Sequence, residues 1–415
     1  MGLTAGDPLT LGRAWDLFDR LVEAIRRAAP EIAALHAADG LRRNDPVVRA
    51  IVIVGSTPDP ASALDALAPV LSSHHIEHYT ASSIAFVFRG ARVELHLSTP
   101  ETLGSTLLHA TGSAAHLAQL SARGLTTRAF ESETELYASL DLPWIPAETR
   151  TGGGEIEAAA AGTLPELIAV SDIRGDLHMH TLYSDGRHSV AEMVAAADAL
   201  GYEYVALTDH SWSGSGSRAQ ALANLPRQRD EILRLRERYA RLAILHGVEV
   251  DIVEDGSLDF PDDVLEKFDI VLASLHTPAG HDGDRLTQRS LAAIRHPLVN
   301  VLCHPANQLA GRHRGYDLDF DALYEAAAMT GTALEIDGAP SHMDLDCDRA
   351  RAAVAAGAML TIDSDCHRAE ALGRQMQFGV GIGRRAWVEP RHVLNTRPLD
   401  ELEVFIAAKR RGRAR

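Results

Sequence analysis

In the second half of this 415-residue chain, seven short apolar runs alternate with helical stretches, and a His, Asp or Glu stands at the end of each. The runs are 173–178, 204–207, 242–250, 270–275, 299–303, 332–336 and 358–362. Short apolar runs bounded by polar residues read as buried strands. Seven of them with helices between, each tipped with polar groups, predict a (β/α) barrel whose site lies at the C-terminal ends of the strands. After the first run, Ser189 and Glu192 make a capping box and Gly201 suits the position just past a helix, so a helix is expected there.

The polar tips form a pattern of their own. Asp176-Leu177-His178-Met179-His180 has two imidazoles in period two, which on a strand share one face and can reach one ion. Ser184-Asp185-Gly186 follows in the loop; Thr208-Asp209-His210 ends the second run and His246-Gly247-Val248-Glu249 the third. Ser274-Leu275-His276, Cys303-His304-Pro305 and Ser364-Asp365-Cys366-His367 end the fourth, fifth and seventh. The sixth, Glu335-Ile336-Asp337, is expected to supply no ligand. Imidazoles and carboxylates suit Zn, Mn or Fe. The nine groups His178, His180, Asp185, His210, Glu249, His276, His304, Asp365 and His367 exceed what one ion can use, so two or three divalent metals are expected. In such clusters ions roughly 3.5–4 Å apart clamp the attacking and leaving oxygens of a phosphate. Asp209 reads as an orienting carboxylate, and Cys303 and Cys366, alternating with ligands, as packing residues.

Composition narrows the function classes. At 46% hydrophobic and 23% charged residues the chain is an ordinary globular one, long enough for two or three cores. A net charge of −17 disfavours broad, sequence-independent binding to a phosphate backbone, though bound cations would cancel part of it. Three cysteines without a CxxC pair, no signal-like start and no apolar run of membrane-spanning length lead to the expectation of a cytoplasmic protein with no membrane partner. Oligomeric state is not legible. The first half reads as a helical stretch over 11–37, a strand at 48–54, a helix from 61 to about 72, strands at 83–88 and 92–97, a helical stretch over 103–123, and a linker at 149–154. The end, 409–415, reads as a basic, mobile tail.

The motif series, from Asp176-Leu177-His178-Met179-His180-Thr181 through Asp365-Cys366-His367, resembles the PHP (polymerase and histidinol phosphatase) domain. The resemblance implies a distorted (β/α)7 barrel. It also implies one metal on His178, His180, Glu249 and Asp365, a second on Asp185, His210 and His367, and a third on Glu249, His276 and His304. Residues 142–150, 154–158, Trp387-Val388-Glu389-Pro390 and Asn395-Thr396-Arg397-Pro398-Leu399 resemble the PHP-containing bacterial family X DNA polymerases, and Thr111-Gly112-Ser113-Ala114-Ala115-His116 resembles their palm and thumb. The implied organisation is a helical segment at 1–45, a palm/thumb-like nucleotidyltransferase remnant of small α/β type at 46–150, a linker at 151–172, the PHP barrel at 173–397, and a C-terminal helix and tail at 398–415.

The departures from that family are specific. Its palm needs an Asp-x-Asp pair and a third Asp to hold two Mg²⁺ ions. Here Ala50-Ile51-Val52 stands at the pair and Glu94 at the third position, and the family's opening helix-hairpin-helix part has no counterpart before residue 45. Polymerase activity is therefore expected to be lost. The barrel is expected to be a metal-dependent phosphoesterase, with Asp185, His210 and Glu249 at the reaction centre. Arg312 and Arg314, with Arg384 and Arg385 behind them, are the candidates for phosphate. Its substrate is expected to be a phosphate ester, with DNA ends or nucleotides cut in 3′-5′ exonuclease fashion as the leading candidates. The alternatives are a small-molecule phosphomonoester, as in histidinol phosphatase, and a non-catalytic regulatory or DNA-binding role, which retention of every ligand argues against. Amidohydrolase barrels share a His-x-His start, but they carry a carboxylated Lys where this chain has His276.

Overall fold

The computed structural model describes residues 7–71, 74–211 and 218–411, and the chain divides into two compact units, Met1–Pro165 and Glu166–Arg415. The first unit opens on helix Leu11–Ala28, which buries Leu11, Ala14, Leu17, Phe18, Leu21, Val22 and Ile25 along one face. It does not continue to 37 as its composition suggests. Pro30 lacks an N–H and restrains Ala29 from helical geometry, and the chain re-emerges as strand β1, Ala34–Ala37. Strands β2 (Ile51–Ser56), β3 (His75–Tyr79), β4 (Ser83–Phe88) and β5 (Ala91–Ser98) complete a five-stranded sheet in the order β1-β2-β5-β4-β3, with only β2 and β5 parallel. The expected single helical stretch over 103–123 is two helices, Leu103–Thr111 and Ala114–Ala122, parted at Gly112 and restarted by Ser113, whose hydroxyl accepts from His116 N.

A buried ion network ties this unit together. The Glu133 carboxylate accepts from both nitrogens of Arg42 at 2.8 and 2.7 Å, both of Arg150 at 2.5 and 3.0 Å, and Trp144 Nε1 at 3.2 Å. Arg150, in the segment read as a linker, is wholly buried. Helix Glu155–Ala160 follows it and packs Ile156 and Ala159 against Leu108, Leu120 and Leu136.

The second unit is the barrel. Strands β6 (Gly175–Asp176), β7 (Tyr204–Leu207), β8 (Ala243–Asp251), β9 (Ile270–Ser274), β10 (Val301–Leu302), β11 (Ala333–Asp337) and β12 (Leu360–Asp363) pair in sequence order, all parallel. A parallel bridge between Met179 and Cys366, with His180 N donating to Cys366 O at 2.9 Å, joins the two edges and closes the sheet just beyond the strand ends. This is the expected (β/α)7 barrel. Gly175 permits the tight β6–β7 start, because a Cβ there would lie 2.2 Å from Tyr204 O. The predicted helix is Val190–Ala199 with its Ser189/Glu192 capping box, and Gly201 follows at φ +79°.

The last helix, Leu399–Arg410, buries Leu402 and Ile406 in the cluster of Leu177, Tyr204, Leu272 and Val301. The basic residues read as a mobile tail therefore begin as structure. Lys409 Nζ donates to Ile294 O at 2.6 Å and Thr332 Oγ1 at 2.7 Å, and Arg410 to Phe268 O at 2.6 Å, because their positions face inward on that helix. Residues 412–415 lie outside the described residues. No helix is long and apolar enough to cross a membrane among the described residues.

Candidate metal centre

Parallel strands all end at one rim, so residues just past β6, β7, β9, β10 and β12 converge with Glu249 on β8. His178, His180, Glu249 and His304 form the buried floor, and Asp365 is nearly as deep. Asp185, His276 and His367, with side chains 45%, 32% and 34% exposed, form the rim.

Glu249 is the hub. Its Oε1 lies 3.0 Å from His304 Nε2 and 3.2 Å from His276 Nε2; its Oε2 lies 2.8 Å from His210 Nδ1, 3.3 Å from His178 Nε2 and 3.5 Å from His180 Nε2. Asp365 Oδ1 stands 3.0 Å from His180 Nε2 and 3.6 Å from His178 Nε2. Asp185 Oδ1 stands 3.3 Å from His367 Nε2, 3.5 Å from His210 Nε2 and 3.9 Å from His180 Nδ1. All nine expected ligands are thus brought together.

Donor atoms within 4.8 Å of one another fall into four overlapping groups. These are His180, Asp185, His210 and His367; His178, His180 and Asp365; His210, Glu249 and His276; and His178, Glu249, Cys303 and His304. The groups differ from the resemblance-implied sets in detail, with His180 beside the Asp185 set and His210 beside His276.

These residues fit divalent cations. Glu249 Oε2, His180 Nδ1 and His210 Nδ1 are buried and make no hydrogen bond among the described residues. Buried polar atoms left without hydrogen bonds are costly unless a cation satisfies them.

Behind the floor lies a shell that the sequence does not announce. Glu335 on β11 accepts from the His178 ring Nδ1 at 2.6 Å and from the His304 backbone N–H at 2.8 Å, fixing one imidazole and the backbone that carries another. Asp251 does the same for His276 Nδ1 at 2.7 Å. Asp209, read as an orienting carboxylate, accepts from Thr181 N, Thr181 Oγ1, Ser184 Oγ and Gln228 Nε2 at 2.8, 2.7, 2.5 and 2.6 Å, so its oxygens are committed to the scaffold. The only sequence sign of Glu335 and Asp251 is a carboxylate at a strand end. Arg312 and Arg314 are exposed in the loop after β10, and neither makes an ion pair with a carboxylate of the centre among the described residues. Arg384 is drawn off to Ile168 O at 2.9 Å, and Arg385 lies beside Cys347.

Charge coupling at the centre is strong. Burial opposes the Glu249 charge, but His210, His276 and His178 hold its carboxyl well below the usual range. Burial likewise opposes cationic imidazoles, yet Glu335, Glu249 and Asp365 lift His178, and Asp185 with Asp365 lifts His367 to about 9. His180 goes the other way, to about 4, through burial and the neighbouring His210. A cation must displace the protons on the raised histidines. Apparent metal affinity should therefore fall as pH drops below about 9, with proton release on loading. Calorimetry in buffers of different ionisation enthalpy measures that release, and a pH-independent affinity would contradict it. Glu335→Gln should weaken metal binding by roughly 10–100-fold without dislodging the fold. Competition with a chromophoric chelator reads this out, and unchanged affinity would remove Glu335 from its role.

Residues 176–310 match the PHP domain family model. The chain is 36% identical over 389 residues to the DNA polymerase/3'-5' exonuclease PolX of Bacillus subtilis, covering 89% of this chain and 68% of that protein. Probable phosphatases of Syntrophotalea carbinolica and Shewanella oneidensis are each 33% identical, over 39% and 48% of this chain and 64% and 78% of their own. A solved histidinol phosphate phosphatase from Lactococcus lactis covers 52% of this chain and 94% of its own at TM-score 0.40 and 18% identity. With the PHP match on the barrel and the PolX similarity running through both units, the chain belongs to the PHP-containing bacterial family X DNA polymerases.

Proposed function

We propose that the barrel hydrolyses phosphodiester bonds at nucleic-acid 3′ ends or in nucleotides, and that the first unit no longer supports polymerisation. The coarser class, a metal-dependent hydrolase of phosphoric esters, is that of the PHP family. The finer reading rests on extent. The relative named as a 3'-5' exonuclease matches 89% of the chain across both units, whereas the first-named phosphatase relatives match 39% and 48%. A second reading, hydrolysis of a small phosphomonoester, is favoured by the names of those same relatives.

Divalent cations at this centre would neutralise charge building on the phosphoryl oxygens and make water acidic enough to attack at neutral pH. The chain's own residues prepare the site. His178, His180, Glu249 and His304 hold the floor, while Glu335 and Asp251 take the outward ring nitrogens and so direct the Nε2 atoms of His178 and His276 inward, where a cation would replace their protons. The partly exposed Asp185, His276 and His367 face the side open to solvent, where a substrate phosphate enters. We assign Arg312 and Arg314 to its nonbridging oxygens. In that role Arg312→Ala raises KM and leaves kcat nearly unchanged.

In the first unit, Val52 pairs with Glu94 across β2 and β5, and Ala50 and Val52 are buried and apolar. Glu94 is engaged by Arg92 at 3.1 Å and His96 at 3.5 Å. One carboxylate in place of three leaves nucleotidyl transfer without its cation site. No primer extension is expected with Mg²⁺ or Mn²⁺, and any extension product would refute this.

The deciding experiment compares single-stranded DNA, a generic phosphodiester and a phosphomonoester. It uses protein purified without chelator and supplied with Mn²⁺ or Zn²⁺, beside a His178→Ala/His180→Ala control. Nucleotide release from DNA, lost in the control, supports the proposal. Turnover of the monoester alone transfers the protein to the second reading. Turnover of none of the three overturns both.

A further inference from the structure

We propose that Cys303 is a tenth ligand of the centre, a thiolate completing a zinc-selective position with His178, Glu249 and His304. This rests on the barrel holding divalent cations, as above. Strict alternation along β10 would turn Cys303 away from whatever His304 ligates. The chain does not alternate here. Strand β10 ends at Leu302, and His304 adopts φ +27°, a left-handed backbone that breaks the pleat.

As a result two consecutive side chains face the same space. Cys303 Sγ, His304, His178 and Glu249 present donor atoms that all lie within 4.8 Å of one another, and Cys303 is wholly buried. A second observation points to a cation among them. Glu249 Oε2 is buried 3.3 Å from His178 Nε2 and 2.8 Å from His210 Nδ1, yet makes no well-directed hydrogen bond among the described residues.

Four donors comprising one sulfur, two imidazoles and one carboxylate form a set that tetrahedral Zn²⁺ takes readily, with Zn–S about 2.3 Å and Zn–N about 2.0–2.1 Å. In tetrahedral geometry two such ligands on one ion stand about 3.3–3.6 Å apart, so side-chain movements of up to ~1 Å close the set. At present Sγ donates to Ala273 O at 3.3 Å and packs with Leu272 and Val301. A thiol is a weak donor, so little is lost when Sγ turns from that carbonyl. As the S–metal bond forms, the S–H bond breaks and its proton passes to buffer; no electron is transferred. The consequence is selectivity. A soft thiolate favours Zn²⁺ over Mn²⁺ at this position, while the remaining positions, made of nitrogen and oxygen donors, discriminate less.

The test uses the full chain loaded with Co²⁺, beside Cys303→Ser, Cys347→Ser and Cys366→Ser. Visible d–d absorption reports cobalt in the centre; a near-ultraviolet sulfur-to-cobalt charge-transfer band reports a thiolate on it. The expected result is both signals in the unaltered protein and in the Cys347 and Cys366 variants, with the near-ultraviolet band alone lost in Cys303→Ser. Visible absorption without a charge-transfer band in the unaltered protein overturns the Cys303 assignment and leaves the metal centre standing. Absence of both overturns the centre and the assignment together. Zinc-edge X-ray absorption on the unaltered protein decides the point without any variant, since a sulfur neighbour at about 2.3 Å supports the ligand and a shell of nitrogen and oxygen alone excludes it.

Discussion

Glu249→Ala is expected to lower phosphoester hydrolysis by about a thousandfold or more, because cation stabilisation of the transition state contributes several kcal/mol. The two Glu249 oxygens lie between 2.8 and 3.5 Å from five imidazoles, those of His178, His180, His210, His276 and His304. Alanine removes the one anion at the middle of that ring. The histidines then repel both one another's protons and any entering cation. Bound metal, measured by mass spectrometry on protein purified without chelator, should fall by at least one equivalent while the far-ultraviolet circular dichroism stays that of the barrel. Activity within tenfold of the unaltered protein would show that Glu249 is a structural carboxylate and that the centre lies elsewhere.

The second large effect is on stability. Glu133→Ala should destabilise the first unit by roughly 3–5 kcal/mol, the usual cost of breaking a buried ion pair from one side. Arg150 is wholly buried, and both its ion-pair bonds go to Glu133, with Arg42 sharing the same carboxylate. Removing the anion leaves a buried cation without its counter-charge. Burial opposes the Glu133 charge, but Arg42 and Arg150 hold its carboxyl down at about 2. A folded-state value below the unfolded one means the stabilisation is fully present above about pH 4.5 and is lost as pH falls from there toward 2. The drop amounts to about 3 kcal/mol for a shift of that size. Denaturant unfolding of the full chain, followed by tryptophan fluorescence, checks both, since Trp144 Nε1 sits 3.2 Å from the Glu133 carboxylate. A loss below 1 kcal/mol, or stability flat between pH 5 and 3, would contradict the network's role. Adding Arg150→Met should recover part of the loss, because an apolar chain of similar length needs no partner.

Other consequences of the buried centre are smaller. Asp209 accepts four hydrogen bonds, none of them from a donor of the metal groups among the described residues, so its loss would loosen Thr181 and Gln228 before it affected chemistry.

The barrel and its nine donors were legible from sequence because both signals are local. A short apolar run marks a buried strand, and a polar side chain at or just beyond its end lands on the shared rim whatever the helices do. Helix Val190–Ala199 was legible for the same reason, its capping box and Gly201 being neighbours in the chain. Other features depended on partners far along the chain. Glu335 orients His178 from 157 residues away, and nothing in Glu335-Ile336-Asp337 distinguishes an orienting carboxylate from a surface one until β11 is placed opposite β6. Strand β3 is exposed at every residue, so it has no alternation to read; its ladder to β4 holds it. Lys409 reads as part of a basic tail, and only the docking of the last helix on Ile294 and Thr332 makes it a buried donor. Cys303 was assigned to packing by the period-two rule, which presumes a continuing strand; the turn at His304 ends that rule and brings the thiol toward the metal ligands. Sequence alone determined that nine His, Asp and Glu side chains stand at the rim. Tertiary structure decided how they are grouped and which residues support them, because grouping follows from through-space approach between strands rather than from spacing along one.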